Sequence, residues 1–473
     1  MMLLYSLVAW VLLSANNNVL AFARTPPLQS ISITQTSSTQ QHQRIAVTND
    51  IPFCAEATSI YNNTNNSLDV YINRLSEYVN SDDSSKIGYD VTSPRSWMEH
   101  IEHSSEDNHG VGAYTVIRCD ATYNSKYKKK CQWKIWGIGF HMNRLCSSYR
   151  MLMKHNRYTL SASSDYESKL RTNDIIASLL DKATTSLLKE DVSSTSKQGD
   201  EEEYSRTLMV TILWTPPKEE VVNESTANYK PVIRGHSTFA GEARVTTSNN
   251  LFPSPISACL GIPSELTSDE LELLPKRYSN DNNSIKSESL VGANAKISSW
   301  CRVRKPLEDP TRYKVPDSNV GEVLLVTQDE SKQYQDEEEF INSLNILEGL
   351  TSNLFVIYKD GTIRTAPVGK VLLGYARHLV KEEIEANKES QLILNPPTIQ
   401  DAKDGLWSEV FITSAIRLIV PVNRVLLPYI GDDGEGPTVL WESNNHSVTR
   451  SLWSAICSRG NKSAAMYESG GVE

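Results

Sequence analysis

The stretch that decides the fold is residues 346–355, Ile-Leu-Glu-Gly-Leu-Thr-Ser-Asn-Leu-Phe. It places one carboxylate, Glu348, directly before a glycine and a short polar run, and the chain then returns to an apolar strand at 354–358. The Lys-Asp-Gly turn at 359–361 and a second short run at 362–366 predict a β-hairpin. A carboxylate between apolar strands is costly to bury unless something pairs with it. Glu348 therefore either caps a solvated strand end or has a partner supplied by the rest of the chain.

Length and composition limit the kind of protein this is. The chain has 473 residues, of which 39% are hydrophobic and 22% are charged, as in a globular protein with polar insertions. This length exceeds one ordinary core, so we expect two domains plus extensions. The net charge of −10 and the lack of a basic stripe argue against nucleic acid as the main partner. The seven cysteines are scattered without a C-x-x-C pair, which favours neither a zinc module nor a disulfide framework.

The amino terminus has the composition of a targeting segment. Residues 1–23 predict a signal peptide, because the apolar run at 2–13 is too short to span a bilayer comfortably. No Lys or Arg precedes that run, and a signal anchor is the alternative. Residues 24–50 are transit-like, since 24–49 contain no acidic residue and many Ser, Thr and Gln. Together the two segments resemble the bipartite presequence of secondary plastids. We expect plastid delivery and no membrane association after processing, with the secretory pathway as the alternative.

Local patterns predict the main elements of the chain. Apolar or alternating runs predict strands at 110–119, 133–139, 206–214, 322–327 and 408–421. Helical spacing predicts helices at 141–151, 173–188 and within 371–383. The 408–421 strand would carry Thr413 and Ser414 in its middle, and the tail from Glu468 would be disordered. Residues 216–290 predict loops around short elements, and the boundary between a domain at 51–240 and a domain at 241–473 falls there.

Five segments occur in a fixed order along the chain. They are Gly112-Ala113-Tyr114, His141-Met142-Asn143-Arg144-Leu145, Lys296, Glu348-Gly349 with Ser352-Asn353-Leu354-Phe355, and Thr413-Ser414. This set resembles the class IV (fold type IV) pyridoxal-phosphate enzymes, which include branched-chain aminotransferases, D-amino-acid aminotransferases and aminodeoxychorismate lyases. The plant branched-chain-aminotransferase-like proteins are the most similar, through residues 112–115 and 304–308. The resemblance extends over residues 105–430, interrupted by insertions.

The resemblance implies a fold and an activity. The fold would be α/β (α+β), with a smaller N-terminal α/β domain, a larger C-terminal domain with a pseudo-barrel, and pyridoxal 5'-phosphate between them in a homodimer. The activity would be a transaminase reaction on branched-chain or related amino acids, with an amino acid and a keto acid as small-molecule partners. A lyase using the same residues and a catalytically eroded relative that only binds the cofactor are the alternatives. An unrelated secreted glycoprotein is a third.

The resemblance also assigns roles to individual residues. Lys296 would bind the cofactor aldehyde and move the substrate's α-proton, with Lys305 as the alternative lysine. Glu348 would lie opposite the pyridine nitrogen and keep it protonated. The phosphate would be bound by the planar guanidinium of Arg144 and by the hydroxyl and amide groups of Thr413 and Ser414. Tyr114 would line the substrate side of the pocket, and no residue is assigned to a metal.

Three departures from the family pattern favour the eroded alternative. The usual Gly-Ile/Val-Thr-Arg turn is replaced by Gly374-Tyr375-Ala376-Arg377, which loses one hydroxyl. An acidic residue after the early tyrosine is replaced by Thr115, and Trp300 follows Lys296 where the family has Asn-Arg. Arg234-Gly235-His236 is a candidate for binding the substrate carboxylate, with an uncertain register.

Overall fold

A computed structural model of the chain describes residues 94–103, 111–124, 131–155, 162–194, 203–216, 231–240, 252–261, 295–308, 320–327, 337–387, 390–428 and 437–469. The predicted signal peptide at 1–23 and the transit-like segment at 24–50 lie outside these residues. All the described residues belong to one compact unit that spans residues 50–473. None of the described helices is both long and apolar enough to cross a membrane.

Strands and helices are mixed along the described chain. The strands are β1 Ala113–Asn124, β2 Cys131–Ile135, β3 Glu203–Thr215, β4 Val232–Phe239, β5 Ile256–Leu260, β6 Val320–Thr327, β7 Asn345–Gly349, β8 Asn353–Tyr358, β9 Ile363–Arg364, β10 Leu392–Ile393, β11 Trp407–Ser414, β12 Leu418–Leu427, β13 Thr438–Glu442 and β14 Ala465–Ser469. The helices are α1 Pro94–His103, α2 Ile138–His155, α3 Ala162–Ser194, α4 Ser299–Arg304, α5 Glu337–Ser343, α6 Tyr375–Asn387, α7 Ile399–Lys403 and α8 Ser447–Ser463. A 3₁₀ turn, Lys305–Glu308, follows α4.

The first sheet is antiparallel and has the strand order β14-β2-β1-β3-β4. Alternate residues of β1 and β3, such as Ile117 and Val210, are apolar and pack against α2 and α3 in one buried cluster. Alternation places Tyr114 and Arg118 on the opposite face. The first sheet therefore presents one face to its helices and another, more polar face away from them.

The second sheet closes on itself. Strands β8, β11, β12, β5, β6 and β7 are neighbours in that order, and β7 pairs again with β8, so these strands form a six-stranded barrel. β5 runs parallel to both of its neighbours. Apolar residues at alternate positions, among them Leu354, Val356 and Ile412, fill the barrel interior. The predicted α/β class with a barrel of strands is confirmed.

The outside of the barrel is also buried, which explains why every residue of β8 is buried. Phe355 and Phe411 are stacked with ring centroids 5.0 Å apart and pack under α6 and α8. The first sheet is joined to this side through Arg118, whose Nη1 donates to the Ile416 carbonyl at 2.6 Å. The Asp120 carboxylate lies 3.0 Å from the Arg118 Nε and offsets the cost of burying that guanidinium.

The predicted single strand at 408–421 is wrong, because the chain forms a hairpin there. β11 ends at Ser414 and β12 starts at Leu418. The Ser414 Oγ accepts the Arg417 N–H at 3.2 Å, and Leu418 adopts a φ of 59°. Residues 414–418 include no Gly, Pro or Asn to mark a turn. Thr413 and Ser414 therefore lie at the end of a barrel strand and beside a turn, not in a strand's middle.

The end of the chain returns to the first sheet. β14 pairs with β2, and Ser469 is fully buried. The predicted disorder from Glu468 is therefore wrong for Glu468 and Ser469. The division into domains at 51–240 and 241–473 stays a prediction, although the last strand lies in the sheet that residues 113–239 otherwise build.

Candidate functional site

Three side chains lie side by side on the outer surface of the barrel, on neighbouring strands. Glu348 of β7 is directly opposite Asn353 of β8, and Asn353 is directly opposite Thr413 of β11. Directly opposite residues of antiparallel strands point to the same face. All three are at most 5% exposed. A buried carboxylate, amide and hydroxyl thus form one polar row on an otherwise apolar surface.

An irregularity in β7 directs Glu348 to this outer surface. Ile346 faces the barrel interior, and regular alternation would point Glu348 inward as well. The register with β6 shifts between Leu325 and Val326, so that Glu348 lies opposite Leu325 while Ile346 lies opposite Val326. A β-bulge of this kind adds one residue and turns the following side chain to the other face. The bulge therefore removes Glu348 from the barrel interior.

The Glu348 carboxylate is bound by two N–H donors. Its Oε2 accepts the Asn353 Nδ2 at 3.1 Å and the Leu372 backbone N–H at 3.1 Å. The Asn353 Nδ2 also donates to the Leu372 carbonyl at 2.7 Å. The segment before α6 is thereby held against Glu348. Two N–H donors on one oxygen stabilise the ionised form of a carboxylate.

Arg144 of α2 reaches the same segment from the other side. Its Nη1 donates to the Leu373 carbonyl at 3.1 Å, and its Nη2 donates to the Thr115 Oγ1 at 2.9 Å. The Nε is buried and makes no hydrogen bond to a described residue. Burial lowers the pKa of Arg144 to about 10, which leaves it charged at neutral pH. Within the described chain its partners are neutral, so the guanidinium lacks a counter-ion.

His141 completes the surroundings of Arg144 as a neutral ring. The Thr115 Oγ1 accepts from Arg144 and lies 2.9 Å from the His141 Nδ1, so the hydroxyl donates its proton to that nitrogen. Burial, followed by the charges of Arg144 and Lys296, holds the pKa of His141 well below its usual range. The ring is therefore neutral with its proton on Nε2, which has no hydrogen-bond partner among the described residues.

We expect His141 to make stability depend on pH. Because the pKa of His141 is lowered in the folded state, the unfolded chain takes up a proton below about pH 6.5 that the folded chain does not. The free energy of unfolding therefore falls by up to about 1.4 kcal/mol for each unit by which the pH is lowered below that value. His141→Asn keeps an acceptor near Thr115 without a charge. Urea unfolding of both proteins between pH 7.5 and pH 5 measures this effect. Equal slopes for the two proteins would contradict a buried neutral His141.

The first turn of α6 lies next to Arg144. The helix begins at Tyr375, two residues after the carbonyl that Arg144 binds, and the first N–H groups of a helix have no partner within it. Gly374 is required here, because a Cβ would lie 2.5 Å from the Asn353 Oδ1. The helix dipole adds to the positive charge of Arg144. The Thr413 hydroxyl has no hydrogen-bond partner in the described part of the chain, and together with Arg144 and the start of α6 it suits an anion.

Lys296 lies against Tyr114 and near the same histidine. The Lys296 Nζ is 4.9 Å from the centroid of the Tyr114 ring. The Lys296 carbonyl accepts the Tyr114 N–H at 2.9 Å, and its own N–H donates to the Ser148 Oγ at 3.0 Å. The backbone of Lys296 is thus fixed to β1 and α2, while the amine reaches the edge of the polar region.

The structure brings together most of the residues that the sequence singled out. The Lys296 amine lies over the Tyr114 ring, and its charge acts on His141. Hydrogen bonds then connect His141, through Thr115 and Arg144, to residues 372–373 and to Glu348, and Thr413 belongs to the same polar row as Glu348. Ser414 differs, because it points to the opposite face of β11 and accepts the Arg417 N–H. The alternative Lys305 lies in the 3₁₀ turn after α4. The roles of these residues stay predictions.

Sequence reasoning missed several residues of this region. Thr115 counted as a loss, whereas its hydroxyl binds both Arg144 and His141. Asn353 was part of the motif but had no role assigned to it. Its position at the far end of the short turn after Glu348 and Gly349 could have indicated that it lies next to Glu348. The backbone groups of Leu372 and Leu373 bear no signal in the sequence, because any residue supplies an N–H and a carbonyl.

The Arg234-Gly235-His236 segment now has a register. It lies in β4, where Arg234 is opposite Leu213 and Leu213 is opposite Tyr114, so Arg234 and Tyr114 share a face of the first sheet. The Arg234 Nη1 donates to the Thr215 Oγ1 at 2.9 Å, and the ring of His236 stacks on Trp97 at 5.2 Å. The strand β4 itself was predicted only as part of a loop region.

Comparison with known proteins gives similarities of fold. No protein-family model matches the sequence, and no curated protein matches it. The branched-chain amino acid aminotransferase of Escherichia coli is 17% identical, with a TM-score of 0.42, covering 77% of this chain and 88% of that one. The branched-chain aminotransferase of Thermoproteus uzoniensis with norvaline is 13% identical, with a TM-score of 0.40, covering 79% and 90%. A hypothetical aminotransferase from Mycobacterium tuberculosis in a PLP-bound form is 15% identical, with a TM-score of 0.40, covering 76% and 92%.

Proposed function

We propose that this protein is a pyridoxal-phosphate-dependent aminotransferase. The observation that carries the proposal is the Arg144 guanidinium beside the start of α6. It is held by neutral acceptors, and its buried Nε–H has no hydrogen-bond partner among the described residues. A buried cation without a counter-ion is costly, and binding a phosphate dianion would remove that cost. The Glu348 carboxylate is fixed to the residue next to the one that Arg144 binds. Arg144 and Glu348 thus bind neighbouring residues, 373 and 372. They would serve the two ends of a phosphorylated pyridine, Arg144 the phosphate and Glu348 the ring nitrogen.

The residues present fit the cofactor. Arg144, the first N–H groups of α6 and the Thr413 hydroxyl would bind the phosphate. Glu348 would hold a proton on the ring nitrogen, since its Oε2 is already oriented by Asn353 and Leu372. When bound, pyridoxal phosphate supplies an aldehyde that takes up amino groups and a ring that accepts electron density from the substrate's α-carbon.

Lys296 has the chemistry that the remaining role requires. It is a half-buried amine whose charge acts on the neighbouring His141. As a free amine it would bind the aldehyde and then move a proton at the substrate's α-carbon. The backbone contacts to Tyr114 and Ser148 hold its Cα in place during that transfer. Tyr114 would shield the amine from bulk water on one side.

The contacts of Thr115 weigh against a catalytically eroded relative. The change from an acidic residue to Thr115 removes a carboxylate that would compete with the phosphate for Arg144, and the hydroxyl keeps the guanidinium in place. Loss of a hydroxyl at Ala376 still leaves the backbone N–H at the start of α6. The preference for branched-chain or related amino acids, the homodimer and plastid delivery are parts of the proposal that rest on the sequence resemblance.

Binding of the cofactor with and without its phosphate tests the proposal. We expect the purified protein to bind pyridoxal 5'-phosphate at least about tenfold more tightly than pyridoxal, because only the former satisfies Arg144. Each ligand is titrated into the protein, and binding is measured by the absorbance of the ligand or by the fluorescence of the protein's tyrosines and tryptophans. A screen of L- and D-amino donors on the loaded protein then measures keto acid formation. Equal affinities for the two ligands would refute the anion site, and binding without any turnover would identify a non-catalytic relative.

A further inference from the structure

Glu322 of β6 is a buried carboxylate that the proposed chemistry does not use. It is 6% exposed, and its Oε2 accepts the hydroxyls of Thr351 and Ser352, each at 2.8 Å. Burial raises its pKa, and the Ser352 and Thr351 hydrogen bonds oppose that shift. An apolar residue would fill a barrel strand at lower cost than a carboxylate. A carboxylate at this buried position is therefore explained by its hydrogen bonds and not by its packing.

The two hydroxyls belong to the tight turn between β7 and β8. The Gly349 N–H donates to the Ser352 carbonyl at 2.8 Å within this turn, and the Leu350 N–H donates to the Val323 carbonyl at 3.0 Å. The Trp300 Nε1 donates to the Leu350 carbonyl at 3.2 Å. The Val323 carbonyl and Trp300 bind the backbone of the turn, whereas Glu322 binds the side-chain hydroxyls of the turn residues Thr351 and Ser352.

The turn and Glu322 fit each other closely. A Cβ on Gly349 would lie 2.3 Å from the Ser352 Oγ and 2.7 Å from the Glu322 Cδ. No side chain larger than hydrogen fits between them. Any displacement of the Glu322 carboxylate would therefore move the turn, because Ser352 and Gly349 are in direct contact with it.

Glu348 and Asn353 immediately flank this turn, one at each end. We propose that Glu322 is a positioning residue: by binding Thr351 and Ser352 it fixes the 349–352 turn and so keeps Glu348 and Asn353 opposite each other. This inference rests on the proposed function, in which the Glu348 carboxylate faces the cofactor. In this proposal Glu322 acts through the turn and not by contact with the cofactor.

Two variants of Glu322 and one control separate positioning from general stability. Glu322→Leu removes both hydrogen bonds, whereas Glu322→Gln keeps an amide oxygen that can accept both hydroxyls. The control is Thr184→Val, which removes the buried 2.8 Å hydrogen bond from the Trp133 Nε1 on the first sheet. We expect Glu322→Leu to weaken pyridoxal 5'-phosphate binding by about tenfold to a hundredfold, and Glu322→Gln and Thr184→Val to stay within about threefold of wild type. Melting temperatures of the apoproteins show whether the losses of stability are comparable.

A second readout does not need the cofactor. Hydrogen exchange of the Gly349 and Leu350 amides should speed up in Glu322→Leu and not in Thr184→Val. If wild type binds no cofactor, the proposed function fails, and exchange alone then decides whether Glu322 holds the turn. Unchanged cofactor affinity in Glu322→Leu, equal loss in Thr184→Val, or unaltered exchange in the turn would each overturn the inference. If Glu322→Leu does not fold, Ser352→Ala removes one of the two hydrogen bonds and is measured in its place.

Discussion

Replacing Lys296 by alanine is expected to abolish amino transfer, with a fall in turnover of about four orders of magnitude. Lys296 is the described lysine whose amine lies at the edge of the polar region, 4.9 Å from the Tyr114 ring. Removing it takes away the amine that is proposed both to bind the aldehyde and to move the α-proton. The proposed phosphate site at Arg144 stays intact, so Lys296→Ala should still bind pyridoxal 5'-phosphate reversibly.

The control for this variant is Lys305→Ala. Lys305 lies nine positions further along, in the 3₁₀ turn, and is the alternative lysine from the sequence. Steady-state rates with the best donor from the screen, and absorbance of the bound cofactor, distinguish the two variants. Activity that survives in Lys296→Ala and disappears in Lys305→Ala would transfer the role to Lys305. Activity in both variants would refute a lysine-dependent transaminase.

The sequence predicts the elements that alternate regularly and have clear turns. The apolar run at 354–358, the Lys-Asp-Gly turn after it and the run at 206–214 are strands and a turn in the structure. Gly361 has a φ of +85°, as such a turn requires. These elements could be predicted because both the strand pattern and the turn residue are local properties of the chain.

The errors occur where long-range contacts decide the structure. The hairpin at 415–417 has no turn residue, and Arg118 of the other sheet binds its Ile416 carbonyl. Glu468 and Ser469, the last residues of β14, were expected to be disordered, whereas pairing with β2 orders them. Neither contact leaves a local pattern in the sequence.

The candidate site, too, is partly predictable from the sequence and partly determined by contacts that the sequence does not reveal. The order of the five segments resembles a known family, and only that resemblance named Arg144, Glu348 and Lys296, because each residue type alone is common on a protein surface. Their arrangement depends on the bulge in β7 and on the backbone of residues 372–373. Alternation alone would have placed Glu348 inside the barrel, because a bulge has no reliable sequence pattern.

Arg144→Met is expected to separate binding from stability. In wild type, cofactor at a hundred times its Kd should raise the free energy of unfolding by about 2.7 kcal/mol. If the variant binds about a hundredfold more weakly, the same concentration raises it by only about 0.4 kcal/mol. The apoprotein itself should be little less stable than wild type, because the lost hydrogen bonds to Leu373 and Thr115 are offset by the removal of a buried charge without a counter-ion.

Arg150→Met is the matched control, since Arg150 lies on the same helix, is largely exposed and pairs with Asp165. It should bind the cofactor as wild type does, and urea unfolding with and without cofactor measures both variants. A large loss of apoprotein stability in Arg144→Met would show that Arg144 serves the fold. Undiminished stabilisation by the cofactor would show that the anion binds elsewhere. Only the combination of a stable apoprotein and a lost response to the phosphate supports a guanidinium kept unpaired for its ligand.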